Sequence, residues 1–89
     1  MTVRKRVRAH GRVQGVFFRD SVRRAAERAG VAGWAANRAD GTVEAVFEGD
    51  PDAVERMIAV CRDGPGHAQV ERLDVADEEP EGLTGFGVG

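Results

Sequence analysis

Cysteine is nearly missing from this chain. Cys61 is the single one, so no internal disulfide can form, and a domain without such staples is expected in a reducing cytoplasm. No stretch is apolar for long enough to make a transmembrane helix or a signal-peptide core, so no membrane partner is expected. Charge of one sign is not in excess. The 13 Lys and Arg stand against 15 Asp and Glu, a net charge of −2, which gives no case for nucleic acid as a partner. Neither His10 nor His67 sits at ligand spacing with a second histidine or cysteine, so neither a metal nor another cofactor is expected.

What is present fits one small domain over residues 1–89, expected to be a monomer. Of the 89 residues, 42% are hydrophobic and 31% charged, which argues against disorder. A chain of this length has room for one sheet covered on one face by one or two helices, with little margin for large internal cavities.

The apolar pattern changes period along the chain. Val3, Val7, Ala9 and Val13 take odd positions, while Arg4, Arg6, Arg8, His10 and Arg12 take even ones. That period of two marks a half-buried strand. Phe18, Val22, Ala25, Ala26 and Ala29 then recur at helical spacing and stop at Gly30, a C-cap residue. Residues 31–38 form a weakly patterned strand. Asp40-Gly41 is a hairpin turn signal, followed by alternation of Val43, Ala45 and Phe47. Asp50-Pro51 opens a second helix, with Val54, Met57, Ile58 and Cys61 as its apolar stripe. In the strand over 68–75 the apolar parity slips between Val70 and Leu73, as a β-bulge would make it do. Phe86 and Val88 mark a short fifth strand at an edge.

The order is βαββαβ plus that short strand. It predicts an α+β, ferredoxin-like sandwich: an antiparallel sheet with both helices on one face. In that topology the first two strands run the same way on either side of the third. The loop after the first strand and the end of the second then become neighbours.

That loop carries the most chemistry. A strand entering a helix through a glycine-containing turn aims several backbone N–H groups at one point, and the helix dipole adds positive field there. Such a nest takes a tetrahedral oxyanion. Arg19 opens the helix, where a lone cation is unfavourable unless an anion sits beside it; its guanidinium can grip two oxygens as a fork. Asn37 precedes a turn, where asparagine also serves purely local hydrogen bonding.

Two stretches resemble signatures of the acylphosphatase family. Gly11-Arg12-Val13-Gln14-Gly15-Val16-Phe17-Phe18-Arg19 is similar to the phosphate-loop pattern G-x-V-Q-G-V-x-F-R. Gly33-Trp34-Ala35-Ala36-Asn37-Arg38-Ala39-Asp40-Gly41-Thr42-Val43 is similar to G-W-x-x-N-x-x-D-G-x-V. The resemblance runs from about Val3 to Val75. It implies a ferredoxin-like fold and hydrolysis of small acyl phosphates to carboxylate and inorganic phosphate by in-line water attack. It places the phosphate-binding arginine on Arg19 and the water-orienting asparagine on Asn37. The backbone cradle falls on Gln14, Gly15, Val16, Phe17 and Phe18. No side-chain base is evident, so a substrate phosphate oxygen is expected to take the proton. The alternative is a non-catalytic module that keeps the fold and the phosphate nest, as in carbamoyl-phosphate-handling maturation proteins. The tail departs from the family habit of an aromatic-containing last strand and has no tyrosine. That departure bears on the last strand and is not expected to touch the site.

Plainer roles are expected elsewhere. Arg4, Arg6, Arg8 and Arg12 should pair across strands with Glu44 and Glu48 on a solvated sheet face. His10 should be a surface histidine. Cys61, Trp34 and Phe47 should be core, and Phe17 or Phe18 should wall the phosphate site.

Overall fold

The computed structural model describes residues 1–89. The elements are β1 (Val3–Arg12), α1 (Phe18–Ala29), β2 (Ala32–Asn37), β3 (Val43–Gly49), α2 (Pro51–Asp63), β4 (Gln69–Glu78) and β5 (Phe86–Val88). The sheet order is β4-β1-β3-β2-β5. β1 and β2 both run antiparallel to β3, so they share a direction and end on the same side of the sheet.

Side-chain pattern explains the layering. Val7 and Ala9 of β1, Ala35 of β2 and the odd residues of β3 meet Phe18, Val22 and Ala26 of α1 and the stripe of α2. Phe18, Phe47 and Met57 are among the largest fully buried side chains, each contributing roughly 1.5–3 kcal/mol by leaving water. α2 starts where Asp50 accepts from the Asp52 N–H and Pro51 takes the first helical position, a cap worth about 1 kcal/mol. The parity slip is a register shift. Gly11 pairs with Val70 and His10 with Arg72, which leaves Glu71 as the extra residue of a bulge.

Three expectations need correction. First, the sheet is mixed, because β5 pairs parallel with β2 through Gly33–Phe86, Trp34–Gly87 and Ala35–Val88. β4 ends beside Arg4, at the end of the sheet away from the β1–α1 loop. A chain that crosses from there to the far edge and turns back must run along β2. Phe86 then stacks on Phe47 with ring centroids 5.8 Å apart.

Second, Trp34 is not core. Gly33 and Ala35 face the helices, so the period of two turns Trp34 to the opposite face. The guanidinium carbons of Arg6 and Arg38 lie 5.4 and 5.5 Å from its ring centroid, a double cation–π contact. Aromatic size had outweighed strand parity in the expectation.

Third, the charged face is only partly solvated. Arg4–Glu48 and Arg6–Glu44 pair at 2.7 Å each and Arg8–Glu44 at 3.6 Å, whereas Arg12 makes no ion pair. Yet Arg4 is 4% and Glu48 2% exposed. The chain between β4 and β5 crosses here, and the N–H groups of Glu81, Gly82 and Leu83 donate to Glu48. Burial pushes the Glu48 carboxyl up, but those N–H groups and Arg4 outweigh it and hold it below its ordinary value. Glu78 adds partners the sequence did not disclose: it receives both Arg4 and Arg6.

Candidate active site

The end of β1, the start of α1 and the end of β2 enclose an open cavity of about 250 Å³, lined by Val13, Gly15, Phe17, Phe18, Arg19, Asp20 and Asn37. Arg19 and Asn37, far apart in sequence, therefore face one space.

The local chain explains why this space suits an anion. Gly15 adopts φ +71°, a conformation that costs glycine almost nothing. Phe17 follows as the N-cap of α1 at φ 64°, ψ 20°, with no side-chain capping bond. The backbone N–H groups from Gln14 through Asp20 donate to no acceptor within the protein. Ordinarily Ser, Thr, Asp or Asn would satisfy some of them. Here a row of donors stands without acceptors at a helix N-terminus, where the dipole is positive. Arg19 pairs with no Asp or Glu side chain; its Nη1 donates to the main-chain oxygen of Gly89.

Gln14 and Val16 do not line the cavity, and the Gln14 side chain has a task of its own. Nε2 donates to the Arg38 carbonyl at 2.8 Å and the Thr42 carbonyl at 2.9 Å. It thus ties the loop to the turn that follows Asn37. Phe18 turns inward at 2% exposure, whereas Phe17 stands 69% exposed. Phe17 is also the one non-glycine residue with positive φ. That conformation costs an ordinary residue about 1–2 kcal/mol.

A second hollow, of about 200 Å³, opens on the other sheet face among Arg6, Arg8, Glu44 and Asp74. Each of those charges is paired within the protein. It offers an anion nothing that is not already engaged. His10 lies on that side, with Nε2 2.9 Å from Asp74, as a surface histidine.

The acylphosphatase family model matches residues 5–88. A curated acylphosphatase of Gloeobacter violaceus is 62% identical over 86 residues, covering 92% of each chain. The chain belongs to the acylphosphatase family. The crystal structure of acylphosphatase from Bacillus subtilis superposes with a TM-score of 0.93 at 33% identity, covering 100% of this chain and 99% of that one. Full-length HypF in its phosphate- and nucleotide-bound form carries the same fold. Its TM-score is 0.92 at 22% identity, over 100% of this chain and 12% of that one. At that identity it speaks for the fold alone. As an acylphosphatase the protein is a hydrolase of the carboxyl–phosphate anhydride bond, acting on small acyl phosphates, and the non-catalytic alternative is not favoured. No helix is long and apolar enough to cross a membrane.

The structure adds residues that the sequence did not point to. Asp20 brings a carboxylate to the cavity, but Arg23 and Arg24 hold its two oxygens at 2.7 and 2.9 Å. The Arg23 hydrogen bond keeps its carboxyl below the ordinary value. The loop at 64–68 braces the phosphate loop from outside. The His67 N–H donates to the Val16 carbonyl at 3.1 Å. Gly66 packs so close that a Cβ would lie 2.7 Å from the same oxygen. Gly89 reaches Arg19 from the tail, so the tail does touch the site. Only the glycine-rich run at 64–66 left any trace of this in sequence, and it reads there as a helix stop.

Proposed function

We propose that Arg19 and the N–H groups from Gln14 to Phe18 hold the phosphoryl group of an acyl phosphate, while Asn37 directs the water that attacks it. One observation carries this reading. Gly15, Phe17 and Phe18, whose backbone N–H groups have no acceptor, line one cavity with Asn37 and with Arg19, which pairs with no Asp or Glu.

The chemistry needs little more. The carboxylate leaving group is already good, so strong protonation is not required. The task is to bind a dianion, stabilise charge on its equatorial oxygens and hold water in line. Arg19 and the amides supply the first two. Asn37 can accept a hydrogen bond from the water, or donate one to it, but cannot take its proton. The water oxygen bonds to phosphorus as the bond from phosphorus to the acyl oxygen breaks. The electron pair leaves on the carboxylate, and the water proton passes to a phosphate oxygen. Asp20 is the one carboxylate lining the cavity. Two arginines engage it and hold it in its ionised form, which makes it a weak base. That favours substrate-assisted proton transfer.

The test is phosphate release from benzoyl and acetyl phosphate by wild type and Asn37→Ala. We expect Asn37→Ala to lose roughly a hundredfold or more in kcat, with inhibition by inorganic phosphate nearly unchanged. Wild-type kcat in Asn37→Ala would remove Asn37 from the mechanism. We place the working protein as a monomer in the cytoplasm, in keeping with its size and its lone buried thiol.

A further inference from the structure

Phe17 combines two features that folding does not reward. The residue is 69% exposed, and its backbone sits in the left-handed region with φ 64°. Glycine would take that conformation freely, and a polar side chain would suit the exposure. Strained, exposed residues that persist in an otherwise relaxed fold concentrate where ligands bind. Phe17 is placed accordingly, on the wall of the cavity that Arg19 and Asn37 share.

Its position is also held from outside. The Phe17 ring meets His67 edge to face, with centroids 6.2 Å apart and planes at 64°. His67 in turn is fixed by its N–H bond to the Val16 carbonyl, and Gly66 packs beneath the Phe17 carbonyl. Phe17 therefore stands at the mouth, with its ring held against His67. A phosphoryl group seated on the amides must project its acyl part outward through that mouth.

We propose that Phe17, steadied by His67, is a specificity-determining residue that receives the acyl group and favours substrates whose acyl part is aromatic or broadly apolar. The proposal rests on the reading of the phosphate site above. An apolar acyl group covers the Phe17 ring and loses its own contact with water. An acetyl group is too small to gain much from either.

The measurement is the ratio of kcat/KM for benzoyl phosphate to that for acetyl phosphate, with the full chain. A ratio cancels any change in anion binding that a substitution in the loop causes. Phe17→Gly should lower the ratio about tenfold, the worth of an aromatic contact. His67→Ala should lower it about threefold. Phe17→Tyr, which keeps the aromatic face, should hold it within twofold of wild type. An unmoved ratio in Phe17→Gly overturns the proposal, as does a fall in Phe17→Tyr as large as in Phe17→Gly. Wild-type turnover of acetyl phosphate tests the hydrolytic site separately. If wild type hydrolyses neither substrate, the hydrolytic reading falls and the proposal with it.

Discussion

The open face of the sheet and the mouth between β1, α1 and β2 both gather charge, and they treat it in opposite ways. On the open face the central charges are answered from within. Arg4 has Glu48 and Glu78, Arg6 has Glu44 and Glu78, and Arg38 has Glu44. At the mouth, Arg19 has a main-chain oxygen of Gly89 and no Asp or Glu, and the neighbouring amides have no partner at all. Charge answered internally serves the fold, whereas charge left unanswered awaits a ligand. A count of arginines puts the interest on β1; a count of unanswered donors puts it on α1.

Substitutions can break this contrast. The largest effect is expected from Arg19→Ala. Catalytic efficiency toward benzoyl phosphate should fall on the order of a thousandfold, while the melting temperature stays within a few degrees. Glu48→Ala should do the reverse. It takes one carboxylate from Arg4, which keeps Glu78, and strands three backbone N–H groups, and only the segment at 81–83 separates them from water. The cost is therefore at the low end for a buried pair, about 3 kcal/mol. Thermal melting should show a drop of about 15 °C, with Arg19-dependent phosphate affinity unchanged in the folded protein. If either variant loses both properties equally, the division is wrong.

Gln14→Ala tests the tie between the two regions. It removes the bonds to the Arg38 and Thr42 carbonyls, so the loop drifts relative to Asn37. Steady-state kinetics should show kcat roughly tenfold lower, since small misplacements are costly in such sites. Acid separates the regions more gently. Hydrogen bonds from Arg6 and then Arg4 bring Glu78 from its ordinary 4.5 down to about 2. Its folded value lies below its unfolded one, so its contribution is complete above about pH 4.5 and is lost as pH falls toward 2. Glu78→Gln should flatten the fall of melting temperature across that window. The smallest effect is a null one. Burial raises the Cys61 thiol to about 12, so thiol reagents at pH 8 should leave the native protein unlabelled.

Where sequence was informative, the controlling forces were local. Alternation on β1 and β3, the α2 stripe and the Asp50-Pro51 start all came from neighbours in the chain. Even the Glu71 bulge showed itself as a parity slip. The site's outline was legible for the same reason, since strand, glycine and helix stand next to one another. What escaped depended on distant partners. Arg4 and Glu48 are buried because a later segment crosses them. Asp20 is spoiled as a base by Arg23 and Arg24, which an i, i+3 and i, i+4 reading of α1 could have found. The brace from 64–68 and the reach of Gly89 to Arg19 have no local signature. Trp34 had one, the parity of β2, and residue size obscured it.

β1 carries the phosphate loop at its end, yet one of its two strand partners comes late. Arg4 hydrogen-bonds Glu78 across 74 residues. A ribosome adds roughly 5–20 residues per second, so β1 waits several seconds after it is made before β4 exists to cover its flank. Through that interval an arginine-rich strand has an open edge, and its row of like charges is what keeps that edge from pairing with another chain.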